Sequence, residues 1–90
     1  MQYPPQISIE YNDTGMMFIQ KEEYANALNR FNEAIKYAPR YYEAYTNKAM
    51  ALNKLERHKE ALEAAEIALK IMPSYELAIN AKKYALSHLL

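Results

Sequence analysis

His58 and His88, together with the carboxylate pairs Glu22-Glu23 and Glu60-Glu63, are the groups in this chain suited to proton transfer or metal ligation. Their spacing does not organise them. The histidines stand far apart in the chain, and neither has a matching ligand four residues away, the interval that aims two helical side chains at one ion. The glutamate pairs fall on a turn and on a solvated helix face, whereas acid–base work needs a carboxyl whose burial tunes its proton affinity. With no cysteine, thiolate nucleophiles, disulfides and Cys-based zinc sites are all absent. A single glycine in 90 residues leaves no Gly-rich phosphate loop. Chemically the sequence reads as a non-enzyme that needs no metal or cofactor.

What remains is amide, thioether and aromatic chemistry, set on a regular frame. A shift of 34 residues lays Tyr11 on Tyr45, Gly15 on Ala49, Phe18 on Leu52, Ala27 on Ala61, Ala34 on Ala68, Pro39 on Pro73 and Tyr41 on Tyr75. The same shift carries Ala44 onto Ala78, Tyr45 onto Ile79, Ala51 onto Ala85 and Leu52 onto Leu86, a third copy that stops halfway. A constant period of this length marks a protein built by stacking one helical unit on the next.

Apolar residues inside each copy recur at three- and four-residue intervals. They predict helices from Ser8 to about Lys21, Tyr24 to Tyr37, Tyr42 to Leu55, His58 to Ile71, and about Ser74 to the end, with Ser8 and Ser74 as N-caps. Tyr3-Pro4-Pro5 disfavours helix, so residues 1–7 are expected to be an extended lead-in. Pro39 and Pro73 end helices. The expected architecture is all-α: repeat 1 over about 8–41, repeat 2 over about 42–75, and a capping helix over about 76–90. Small residues set how closely helices approach, so Gly15 is expected against Ala27 and Ala49 against Ala61, while Tyr11, Phe18, Tyr24, Phe31, Tyr45 and Leu52 fill the spaces between.

A chain of this size buries roughly 60–65% of the surface of its unfolded form. Eleven basic and eleven acidic residues cancel, and neither sign gathers into a block, so nucleic acid and anionic membrane are poor partners. No apolar run is long enough to span a bilayer. A reducing, intracellular, cytoplasmic setting fits. Asn12-Asp13-Thr14 matches a glycosylation sequon inside a predicted helix, where it carries little weight.

These residues resemble the tetratricopeptide repeat, whose signature runs aromatic-x-x-Leu-Gly, then Tyr, Ala, Phe, Ala and Pro. The first copy reads Tyr11-x-x-Thr14-Gly15-x-x-Phe18, then Tyr24, Ala27, Phe31, Ala34 and Pro39. The second reads Tyr45-x-x-Lys48-Ala49-x-x-Leu52, then His58, Ala61, Ala65, Ala68 and Pro73. Thr14 and Lys48 depart from the Leu site, and Ala65 replaces the large residue that Phe31 supplies. Lys82 and Lys83 stand where a continuing array would carry apolar and small residues, which suits a terminal helix facing water.

The resemblance implies a right-handed helical superhelix acting as a protein-interaction adaptor or scaffold, with the first helix of each pair lining a concave groove for a partner peptide. It implies three rows across that groove: Asn12, Thr46 and Asn80; Met16, Met50 and Tyr84; Ile19, Asn53 and Ser87. Asn47 projects toward the same concavity. Amides can satisfy a peptide backbone, and thioethers adapt to varied apolar side chains. One subclass of the family clamps chaperone C-terminal carboxylates with Lys, Asn and Arg. Here only Asn47 matches that set, because Asn12, Met16, Asn80 and Tyr84 hold the other positions, so carboxylate clamping is disfavoured. The alternative is a structural module or fragment of a larger repeat scaffold, self-associating into a homo-oligomer or packing within that scaffold through Leu86, Leu89 and Leu90 or through Tyr41, Tyr42 and Tyr75.

Overall fold

The computed structural model describes residues 3–90; residues 1 and 2 of the expected lead-in lie outside them. Five helices run in order: α1 Gln6–Gln20, α2 Tyr24–Tyr37, α3 Tyr42–Lys54, α4 His58–Ile71 and α5 Glu76–Leu89. The described residues contain no strand. Helix α1 begins two residues earlier than the sequence suggests. Pro5, with φ −56° and ψ 149°, occupies the N-cap position, and its carbonyl accepts the backbone N–H groups of Ser8 and Ile9. Ser8 is therefore not a cap. It lies wholly buried in the first turn and donates its hydroxyl to Pro5 O at 2.6 Å. Ser74 is likewise displaced, because Tyr75 takes the N-cap position of α5 and its carbonyl accepts from Ala78 and Ile79.

Two kinds of turn alternate. Within each pair the first helix closes with a residue in left-handed backbone, Glu22 at φ 60° and Glu56 at φ 61°. Glu23 N–H then reaches Phe18 O at 2.9 Å, and Arg57 N–H reaches Leu52 O at 2.8 Å, satisfying carbonyls the helix ends would leave open. Between pairs, Tyr41 N–H bonds Ala38 O and Tyr75 N–H bonds Met72 O, with Pro39 and Pro73 at the second turn position, where a fixed φ costs nothing.

Packing is strictly between neighbours. Helix α1 packs on α2, α2 on α3, α3 on α4 and α4 on α5; α3 also touches α1 and α5, and no other pair meets. The odd-numbered helices thus form one layer and the even-numbered helices the other, as a stack of repeats requires. Ala27, Ala49 and Ala61 are wholly buried in one core cluster with Leu52, and Ala68 is wholly buried as well. Ala34 joins Tyr41 and Ala44 in a second cluster at the α2–α3 seam.

Gly15 does not face Ala27 alone as its small size suggested. The Phe31 ring occupies the space where its Cβ would be, and a Cβ there would stand 2.7 Å from Phe31 Cδ1 and 2.9 Å from Cζ. The second pair solves the same crossing with Ala49 and Ala65, both buried. One pair thus uses nothing against a ring, and the other a methyl against a methyl. Ala65 stands in the position of Phe31 and lies in the same core cluster as Ala49.

Candidate partner-binding groove

Helices α1, α3 and α5 carry the predicted rows, and their side chains divide into a buried set and an open set. Thr46 is wholly buried and donates its hydroxyl to Tyr42 O at 2.9 Å, so it cannot meet a partner. Helical Thr and Ser often satisfy themselves this way on the carbonyl one turn back. Asn12 is 8% exposed and Asn53 7% exposed, and both amides work inside the protein. Asn47 Nδ2 donates to Asn12 Oδ1 at 2.9 Å, tying α3 to α1. The Asn12 amide also lies near the Tyr41 hydroxyl. Asn53 Nδ2 donates to Ala81 O at 3.2 Å, and its Oδ1 faces His58 Nδ1 at 2.9 Å, so this one amide joins α3, α4 and α5. The buried Asn12 also removes the sequon from reach.

Burial is the main cause that raises the Tyr41 phenol above its ordinary value, with Glu43 and Asp13 adding to it and the nearby Asn12 amide opposing it. Tyr75 is raised in the same way, first by burial and then by Glu43. Tyr42 and Tyr75 meet edge to face with ring centroids 4.9 Å apart. The junction tyrosines therefore pack in the seams of this chain, with Tyr41 buried and Tyr42 and Tyr75 half-buried.

The open set is concentrated on α5. Tyr84 is 51% exposed and Asn80 is exposed, and the structure adds Leu77, 50% exposed and seven residues before Tyr84 on the same helical face. Met16, Ile19, Asn47 and Met50 are half-buried, with Met16 and Ile19 also packed on the core. Ser87 is exposed but turns its hydroxyl onto Tyr84 O at 2.7 Å. Leu77 was legible in the sequence, because the 34-residue shift aligns it with Glu43 and Ile9, one turn before the row of Asn12, Thr46 and Asn80.

At the C-terminal end of the face, a crevice of about 370 Å³ is lined by Asn53, Lys54, Glu56, His58, Tyr84 and His88. The sequence did not bring these together, since His58 reads as a core aromatic in the position of Tyr24. Two other crevices, of about 460 Å³ beside Tyr3, Pro4 and Pro5 and about 680 Å³ beside Glu63, Ile67 and Lys70, include no residue of the three rows. Among the described residues no group of three or more His, Cys, Asp or Glu gathers as a metal would need, and no helix is long and apolar enough to cross a membrane.

The helical-pair repeat, its Pro-marked turns and its neighbour-only packing coincide with a known profile, the tetratricopeptide repeat, which matches residues 13–76. The chain belongs to the tetratricopeptide repeat family. No curated protein matches it. Among solved structures, the tetratricopeptide domain of Sgt2 from Aspergillus fumigatus superposes with a TM-score of 0.92 at 26% identity, over 96% of this chain and 57% of that one. The second such domain of Spaghetti (RPAP3), bound to the HSP90 peptide SRMEEVD, gives 0.91 at 25% identity, over 93% of this chain and 78% of that one. The TPR2AB–pHSP90 complex of yeast Sti1 gives 0.92 at 29% identity, over 94% of this chain and 33% of that one. This tetratricopeptide repeat chain therefore spans little more than half of the Sgt2 domain and a third of the Sti1 chain. Its all-α helical-repeat fold is a protein-interaction fold.

Proposed function

We propose that the chain is an adaptor that holds a segment of a partner protein on the face formed by α1, α3 and α5. The observation that carries this reading is the half-exposed pair Leu77 and Tyr84 flanking the exposed Asn80, on the helix face that the repeat register assigns to ligands. Met16 and Met50 supply adaptable apolar contacts, and the half-buried Asn47 supplies an amide. The Sti1 and Spaghetti domains, bound to HSP90 or its peptide, support a peptide as the class of ligand.

The same rows favour an uncharged segment over an acidic chaperone tail. Asn12, Met16, Asn80 and Tyr84 place no cation where a carboxylate would sit, so an entering carboxylate would lose water without gaining a charge-assisted hydrogen bond. An intracellular compartment fits a cysteine-free adaptor of this kind. Peptide display with free and blocked C-termini, run beside an Asn80→Ala, Met50→Glu double variant, tests the proposal. An enriched motif lost in the variant supports the groove, and an unchanged motif sinks it.

A second reading is self-association through the end of α5, where Leu86 is 37%, Leu89 46% and Leu90 104% exposed. Sedimentation across a wide concentration range separates the two. A mass above one chain that falls on dilution supports association, and a constant monomer mass removes it.

A further inference from the structure

Helix α3 is the middle helix of the proposed face and touches both α1 and α5. Its open stripe changes chemistry along its length. Glu43, Asn47, Met50 and Lys54 follow one another at spacings of three and four residues and so share one helical face. The first three are half-buried and Lys54 is exposed. The same stripe of α5, 34 residues on, reads Leu77, Ala81, Tyr84 and His88.

Charge gathers at the two ends of α3. Asp13 of α1 and Glu43 both act on the Tyr41 phenol, and Glu43 also acts on Tyr75, so two carboxylates share the end of the face where α3 begins. Where α3 ends, Lys54 lies in a crevice with His58 and His88, and Glu56 is the carboxylate beside them. Among the described residues the salt bridges are Arg57–Glu60 and Lys82–Glu66, which leave Asp13, Glu43 and Lys54 without an opposite charge in contact. The side chains between the two ends, Asn47, Met50, Leu77 and Tyr84, are uncharged. Such a face complements a ligand whose charges run in the reverse order.

We propose that the partner segment lies extended along α3, with a Lys or Arg at Asp13 and Glu43, an Asp or Glu at Lys54, and apolar residues between them on Met50, Leu77 and Tyr84. This rests on the adaptor reading and supplies the charge pattern and direction of its ligand. Glu43 and Lys54 stand about 16 Å apart along the helix axis at 1.5 Å per residue. About five extended residues cover that span, so the partner's base and acid are expected about four to six positions apart. An acid in the first turn and a base in the last also suit the dipole of α3. That role gives no part to Asp13 on the neighbouring helix and none to a ligand, and affinity separates the two.

The test is selection from a random peptide library with blocked termini, followed by titration of the selected peptide. The native chain should enrich a basic and an acidic residue at the expected spacing with apolar residues between them. The variant Asp13→Asn, Glu43→Lys, Lys54→Glu should bind that peptide at least about tenfold more weakly and regain affinity when the peptide's base and acid are exchanged. Glu43→Gln and Lys54→Gln, milder for the fold, should each weaken the native peptide and flatten its dependence on salt. A motif without the charge pair, or one that all these variants hold as tightly as the native chain does, overturns the proposal and leaves the groove standing. Variants that melt lower but bind unchanged would assign the charges to the α3 dipole alone and overturn it equally. No enriched motif, or one indifferent to Asn80→Ala, Met50→Glu, removes the groove and this proposal together.

Discussion

At Gly15 and Phe31 a single missing carbon decides a helix crossing. Phe31 is wholly buried and cannot swing away from a Cβ placed against its ring. Gly15→Ala would gain about 1 kcal/mol in helix propensity but is expected to lose more by overpacking, which costs about 1–3 kcal/mol. The net expectation is a lower urea midpoint. Adding Phe31→Leu should recover part of the loss, and a double-mutant cycle reads the coupling. Additive losses would show that the ring and the glycine do not compete for space.

A second residue-scale expectation concerns the buried phenols. Tyr41 and Tyr75 have folded values raised above the ordinary 10.0, chiefly by burial. Their neutral forms are favoured in the fold, so the stability they contribute is complete below the unfolded value and is lost as pH rises through the folded one. Denaturant midpoints followed above pH 9 should fall more steeply for the native chain than for Tyr41→Phe. Equal slopes would mean that Tyr41 ionises without leaving its site.

At the scale of elements, the two tight turns carry a cost that substitution can remove. Glu22 and Glu56 hold left-handed backbone, which disfavours a residue with a Cβ by about 1–2 kcal/mol. Glycine avoids that strain but loses more chain entropy, so Glu56→Gly should stabilise by about 0.5–1 kcal/mol, read from the thermal midpoint. Loss of stability would show that the Glu56 side chain contributes to the crevice it lines. Helix α5 depends on a different device. Asn53→Ala removes the amide that joins α3 to Ala81 and to His58, leaving acceptors and donors unpaired inside. A cost of about 1–3 kcal/mol is expected, with hydrogen exchange rising first in α5. Uniform exchange across all helices would show that α5 does not open separately.

At the scale of the whole molecule, the 34-residue repeat makes stability and binding separable. Helix α5 meets α4 and α3 and touches neither α1 nor α2, so a substitution on its open face leaves the α1–α2 and α2–α3 contacts intact. Leu77→Asp should therefore weaken capture of a partner peptide at least tenfold while shifting unfolding by less than about 1 kcal/mol, the usual effect at an exposed position. Unchanged capture would place the ligand away from α5.

The period, the helix count, the Pro-marked turns and the repeat family were legible in the chain because they depend on residue size and spacing along one dimension. Ala27, Ala34, Ala61 and Ala68 must be small, and Leu52 must be large, wherever the next helix lies. Tertiary structure alone decided which polar residues remain open. Asn12 and Thr46 share a register with Asn80, yet they spend polar atoms on Asn47 and Tyr42, as Asn53 of the third row does on Ala81 and His58, while Asn80 stays exposed on α5. Likewise His58 and His88 meet only because α5 folds back along α4. Helical period determines the face on which a side chain lies, but whether it meets protein or solvent depends on the neighbouring helix, and that is set by packing in three dimensions.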